Sequence, residues 1–272
     1  MALQNSSATV GYGTAAFSDC GTTKRAAAEN RLLASLPSKD RKFLLAGCDR
    51  VELVLGNVLC EPGERIRSVY FPTSSYVSLV TQIDDHAKLE VGLVGSEGMF
   101  GIPLALGVGV SPMHSLVQGS GAAWRIGTAE FLARLEQSHA LQQTLQRYAY
   151  VLMSQLAQMA VCTRFHLVEA RLARWLLMIG DRAHSAKFHI THEFLASTLG
   201  VRRVGITKAA GALQKRKLIS YSRGNITIID RSGLEAASCV CYRTDKKTYN
   251  HILGRSQQLE LDTRNWTPII TA

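Results

Sequence analysis

Apolar and polar positions change rhythm several times along this chain, and each change predicts a different kind of element. Residues 30–47 carry apolar side chains at helical spacing and read as two short helices, broken at Pro37 and Ser38. From Val51 the rhythm shortens to strand-like runs: Val51–Leu55, Val69–Phe71, Tyr76–Val80, Leu89–Val94, Ser115–Val117 and Ala123–Ile126. Turn signals separate them, at Glu61–Glu64, Pro72–Ser75, Asp84–His86, Gly95–Gly98 and Gly107–Gly109. Many short strands at this spacing predict a small antiparallel sandwich or barrel.

The helical rhythm returns over Ala129–Ser138, and Ser138 is placed to cap a long helix running to about His166. Leu141, Leu145, Tyr148, Leu152, Met159 and Cys162 recur along it at coiled-coil spacing, with Gln155 as a polar interruption. A run of this length exceeds the usual globular helix, so the spacing predicts a dimer seam. A further helix follows over Val168–Ile179, and Gly180–Lys187 reads as a loop. The predicted divisions are a disordered leader at 1–29, a β-rich unit at 30–137, the long helix at 138–166, a DNA-binding unit at 167–235 and an extension at 236–272.

Ile190–Ile219 has the pattern of a helix-turn-helix. Thr191 can cap the first helix, Ala196 is small where two helices cross, and Gly200 supplies a left-handed turn. Val201, Ile206 and Ala209 then face inward. That leaves Arg202, Arg203, Val204, Thr207 and Lys208 on one outward face near the start of the second helix, the face that enters the major groove in this motif. Two β-prone runs around Ser222–Asn225 follow as a wing with Arg223 at its tip, and Lys215 and Arg223 suit phosphate contact.

Charge sharpens this picture. The net charge is +10, but it is unevenly placed. Residues 30–136 are near neutral, with ten Lys/Arg against eleven Asp/Glu. Residues 167–231 hold twelve Lys/Arg against four Asp/Glu, an excess suited to a polyanion such as double-stranded DNA. No stretch approaches the ~20 apolar residues of a membrane span, and the first 30 residues lack the pattern of a secretory signal. A cytoplasmic protein with reduced cysteines is expected. The six cysteines are scattered, and Cys239 and Cys241 lack a second pair at zinc-site spacing, so no metal site and no cofactor are read from them. On a helix those two would point in different directions. Asp84, Asp85 and His86 sit at a predicted hairpin tip, and no acid/base or nucleophile constellation indicates an enzyme.

Taken together, Pro62-Gly63, Val69-Tyr70-Phe71, Gly98-Met99-Phe100-Gly101 and the segment 190–229 resemble the Crp/Fnr superfamily of bacterial regulators. The resemblance implies an α+β chain: an antiparallel β jelly-roll of the cyclic-nucleotide-binding kind, a long dimerisation helix and a C-terminal winged helix-turn-helix. It also implies a homodimer reading a palindromic operator with recognition helices ~34 Å apart, with RNA polymerase as a further partner. The effector pocket would then involve Gly98, Phe100, Gly101, Ile102, Met113 and His114. Cyclic-nucleotide binders carry a glutamate for the ribose and an arginine for the phosphate, where this chain has Ile102-Pro103 and Met113-His114. Cyclic AMP is therefore not the expected effector. The clustered N-terminal cysteines of the iron–sulfur branch are also missing. A ligand-independent DNA-binding or scaffold dimer is the alternative.

Overall fold

The computed structural model describes residues 29–82 and 88–254. The expected leader falls almost wholly outside them, as does the Asp84–His86 turn. The chain begins with α1 (Arg31–Ala34) and α2 (Ser38–Leu45). Asn30 caps α1 by accepting from the Leu33 amide, and its buried Nδ2 donates to the carbonyls of Pro72 and Gly98 at 2.8 Å. One side chain thus starts the helix and ties it to the strands.

Seven strands follow: β1 (Asp49–Leu53), β2 (Val58–Cys60), β3 (Ser68–Pro72), β4 (Tyr76–Gln82), β5 (Lys88–Val94), β6 (His114–Gly119) and β7 (Gly121–Gly127). They form two antiparallel sheets, ordered β1-β7-β3 and β2-β6-β4-β5. Leu53 and Ala123 of one sheet meet Val77, Val94 and Val117 of the other, so the alternating apolar positions fill a sandwich core. The first predicted strand ends early, because Val54 and Leu55 turn outward into solvent. The short β2 lies between two turns and carries no periodic signal. Neither does the 3₁₀ helix Ile102–Leu106, whose entry residue Gly101 takes φ 102°.

α3 (Thr128–Gln137) leads into α4 (His139–Phe165). Ser138 caps α4 as expected, accepting from the Leu141 amide, and its hydroxyl donates to Asp40 at 2.6 Å. The predicted dimer seam requires a correction. Leu141, Leu145 and Tyr148 are buried with Leu32, Phe71 and Phe131 in their own chain's core, and Leu152 packs against it. Cys162 is buried in a separate cluster. Leu141, Leu145, Tyr148 and Cys162 of that spacing are thus covered inside the monomer, whereas Leu152, Gln155 and Met159 are half-buried.

The C-terminal half contains α5 (Val168–Ala183), β8 (Lys187–His189), α6 (His192–Leu199), α7 (Arg203–Lys215), β9 (Ile219–Ser222), β10 (Asn225–Ile228), α8 (Arg231–Ala237) and α9 (Cys241–Leu253). Part of the expected 180–187 loop is in fact the last turn of α5 and the start of β8, which pairs with β10 in a sheet ordered β8-β10-β9. Leu195, Leu199, Ile206, Leu213, Ile219 and Ile226 share one core with α5. The extension is folded as far as Leu253. α9 returns to the sandwich, where Tyr249 and Leu253 join its core and the Tyr249 hydroxyl donates to the Glu97 carbonyl at 2.7 Å.

Candidate nucleic-acid interface and sandwich cavity

The two helices of the motif are set by local chemistry. Thr191 Oγ1 accepts from the Phe194 amide, so this residue, also expected at the DNA surface, has a capping duty. Gly200 closes α6 in the left-handed conformation at φ 61°. Its missing Cβ matters twice, because a methyl there would also press on Leu89 of β5. Ile206, Ala209 and Leu213 bury one face of α7. Arg202, Arg203, Val204, Thr207 and Lys208 all lie on the exposed face. Val204, at 59% exposure, is an apolar side chain held in solvent by the helix's geometry.

Thr207 Oγ1 lies 3.1 Å from His192 Nδ1, and the His192 ring stacks on Tyr221 at 4.2 Å. Burial, with Arg203 nearby, holds the His192 imidazole below its ordinary pKa, so it favours the neutral form. These residues, with Gln214 and Lys215, line an open groove of about 520 Å³ between α7 and β9.

The basic excess divides into two groups. Arg171, Arg174 and Arg182 are buried and structural. Arg171 donates to the Leu199 carbonyl at the end of α6, Arg174 pairs with Asp245 at 2.7 Å, and Arg182 pairs with Glu97 at 2.6 Å. Arg216 pairs with Glu169 and Arg231 with Asp181. Arg202, Lys208, Lys215 and Arg223 are exposed, and Arg203 has only a 4.0 Å approach to Glu193, both side chains being open to solvent. Composition could not make this division, since it depends on which face of each element meets the core.

The wing turn is Arg223-Gly224, with φ 47° and 83°. Ser222 pairs directly with Asn225, so the loop has two residues, both in the left-handed region, as in a type I′ hairpin. Arginine is an uncommon occupant of that conformation. Its charge is displayed at the tip despite the backbone preference.

In the sandwich, a cavity of about 180 Å³ lies between β4, β5, the 3₁₀ helix and α4. Phe100, Gly101, Ile102 and Met113, four of the six residues read for an effector pocket, line it together with Leu79, Leu152 and Leu156. The other two expected residues lie outside its lining. His114 Nδ1 is 2.6 Å from Glu61 Oε2, and Gly98 packs under Tyr148, with no room for a Cβ. The amides there are also engaged: Gly98 N–H donates to Gly95, Met99 N–H to the Tyr148 hydroxyl and Phe100 N–H to Tyr70. Among the described residues, no Asp, Glu, Lys or Arg lines the cavity.

Next to this cavity, α4 exposes a second apolar face that the heptad reading missed. Tyr150, Met153, Leu156, Val161 and Phe165 are 42–73% exposed. Tyr150, Met153, Ala157, Ala160 and Arg164 follow the three-and-four spacing of a heptad, one face away from the buried stripe. Met153 and Leu156 belong both to this face and to the cavity wall.

A buried polar contact joins the two halves of the chain. Glu90 of β5 accepts from the Trp175 indole N–H of α5 at 2.8 Å and from the Ser78 hydroxyl. Burial pushes the Glu90 carboxyl up to about 7, against the opposing pull of those hydrogen bonds and of Arg182 and Arg174. Nothing in the sequence around Glu90 signals this role.

Residues 170–237 match the model of the Crp-like helix-turn-helix domain. Among solved structures, the chain is similar to FixK2 from Bradyrhizobium japonicum, with a TM-score of 0.60 and 11% identity over 71% of this chain and 98% of that one. A transcriptional regulator of the CRP family from Thermus thermophilus aligns at 0.58 and 17% identity, over 69% and 96% of the two chains. The c-di-GMP-responsive global regulator CLP from Xanthomonas campestris aligns at 0.57 and 16% identity, over 71% and 99%. A search of curated protein sequences finds no match. Among the described residues, no helix is long and apolar enough to cross a membrane.

Proposed function

We infer that this chain, a Crp/Fnr-type regulator by its fold and its Crp-like helix-turn-helix domain, acts as a homodimer that reads a palindromic operator through α7. The observation that carries this reading is the row of unburied side chains Arg202, Arg203, Val204, Thr207 and Lys208 on one face of α7. Arginine can pair bidentately with guanine in the major groove. Lys215 at the end of α7 and Arg223 at the wing tip extend the positive face towards the flanking phosphates.

Dimerisation is assigned to the exposed face of α4, through Tyr150, Met153, Leu156, Val161 and Phe165. An apolar face of this size in water favours association. The sensor is residues 30–137 completed by α4 and α9, and the DNA-binding unit is 167–235. An effector in the apolar cavity would touch Met153 and Leu156, and so alter how two α4 helices meet. A neutral, largely apolar molecule suits the lining better than a cyclic nucleotide. RNA polymerase is the partner expected once the dimer is on DNA.

Selection from random double-stranded DNA with the purified full chain tests this function. The expected result is a two-fold symmetric motif with half-sites about one DNA turn apart. Enrichment of no motif, with binding that depends only on salt, would overturn sequence-specific reading.

A further inference from the structure

Three of the six cysteines scattered along the chain converge in space. Cys162 sits in the last turn of α4, His166 is the residue that ends that helix, and Cys239 and Cys241 flank the junction between α8 and α9. Ser238, which ends α8, is extended at φ −72°, ψ 157°, and Val240 at φ −53°, ψ −25° leads into α9; Cys239 therefore lies outside both helices, and its side chain falls in one cluster with Cys241. All three cysteines are buried.

The Sγ atoms of Cys162 and Cys239 are 3.6 Å apart, and Cys241 Sγ is 3.4 Å from His166 Nδ1. All four candidate ligand atoms lie within 4.8 Å of one another. A tetrahedral centre holds its ligands about 1.6 bond lengths apart, which for zinc gives roughly 3.8 Å between sulfurs and about 3.5 Å between sulfur and nitrogen. These two pairs are therefore near the edges of such a tetrahedron. The sulfurs are too far apart for a disulfide, which needs about 2.0 Å. The set is too tight for an iron–sulfur cluster, whose iron and inorganic sulfide would stand between the ligands.

The surroundings suit a thiolate-rich ion. Gln158 Nε2 donates to Cys241 Sγ at 3.1 Å, the kind of outer contact that orients a ligand. Arg174 is buried, and its Nε has no hydrogen-bond partner among the described residues. Arg171 and Arg174 both lie close enough to Cys162 and Cys239 to interact with a thiolate formed there. Arg174 is already paired with Asp245, which leaves Arg171, bonded among the described residues only to a backbone carbonyl, to offset the single net negative charge that three thiolates and one divalent ion leave behind.

We propose that Cys162, His166, Cys239 and Cys241 form a closed tetrahedral zinc site that fastens the C-terminal helices to the end of α4. On binding, three thiol protons pass to solvent and His166 coordinates through neutral Nδ1. Four protein ligands leave no open position, so the ion is structural. It sits where α4 passes into α5, and therefore sets the join between the sensor and the DNA-binding unit. This proposal stands independently of what operator the protein reads.

The test is metal analysis of the full chain by plasma mass spectrometry after purification with zinc present. One zinc per chain is expected. Replacement by Co²⁺ should give intense tetrahedral d–d bands and thiolate-to-cobalt charge transfer, both lost on chelation. Cys239→Ser and His166→Ala should each weaken zinc binding by at least ~10-fold, while Cys48→Ser should leave it unchanged. Should the ligand variants fail to fold, the cobalt spectrum of the unaltered chain decides alone. Zinc well below one per chain, an octahedral cobalt spectrum, a Cys162–Cys239 disulfide in the mass spectrum, or stoichiometric iron in place of zinc would each overturn the assignment.

Discussion

Arg203 and Arg223 both face outward from the C-terminal unit, yet their contributions should be separable. Arg203 lies in the first turn of α7 with no strong partner of its own. Arg203→Ala should weaken specific binding by roughly 1–3 kcal/mol and relax one symmetric pair of base positions; unchanged affinity and preference in footprinting would remove it from the readout. Lys215→Ala should weaken binding to all sequences alike. Arg223 holds a left-handed backbone at φ 47°. Arg223→Asn would create an Asn-Gly type I′ turn, stabilising the wing by about 0.5–1 kcal/mol while lowering the salt dependence of DNA binding by about one phosphate contact. Thermal melts and salt titrations measure the two effects on one variant. Glu90 provides a pH test. Its folded pKa of about 7 lies above the usual glutamate range, so the folded state holds the proton more tightly. Stability from this group is complete below roughly pH 4, declines as pH rises, and is lost once pH passes 7. Glu90→Gln can retain a hydrogen bond to Trp175 without titrating. Its melting temperature should therefore fall less than that of the unaltered chain between pH 5 and 8, and parallel curves would refute the assignment.

Among the elements, α4 has two apolar faces with different fates. Leu145 is 1% exposed and Met153 is 67% exposed. Met153→Glu combined with Val161→Glu should give a folded monomer with weakened operator binding. Leu145→Glu should instead unfold the sandwich unit, because it buries a charge without a partner. Sedimentation and circular dichroism together distinguish these outcomes; a Met153/Val161 double variant that remains dimeric would exclude the exposed face as the interface. Most elements were legible from the sequence, since Ser138, Thr191 and Gly200 act locally and a cap or turn needs no distant partner. The face of α4 turned to solvent was not legible. Both stripes follow coiled-coil spacing, and only the packing of α1, α3, β3 and α9 shows which one is covered. The short β2 and β8 escaped for a similar reason, because three residues make a strand only when a neighbour supplies hydrogen bonds.

Across the described residues, the sandwich cavity and the helix-turn-helix unit are linked through α4, the Glu90–Trp175 contact and the Arg182–Glu97 pair. The cavity bears on ligand choice. It is about 180 Å³, below the roughly 300 Å³ at the lower end of drug-sized sites, and no charged residue among those described lines it. Titration with cyclic AMP should show no micromolar binding, since a phosphate would be desolvated without a cation to offset the cost. A micromolar dissociation constant with a matching rise in operator affinity would overturn that expectation. Short windows of residues were enough to specify the strand-rich front half, the long capped helix and the helix-turn-helix with its outward arginines. Each of these follows from periodicity, turn chemistry or residue type among near neighbours. Folding in three dimensions was needed to settle which arginines are structural, which face of α4 is free, that Glu90 meets Trp175, and that Cys162, His166, Cys239 and Cys241 come together. These depend on contacts between residues that are far apart along the chain, 85 positions in the case of Glu90 and Trp175, where a linear pattern carries no information about which side chains will meet.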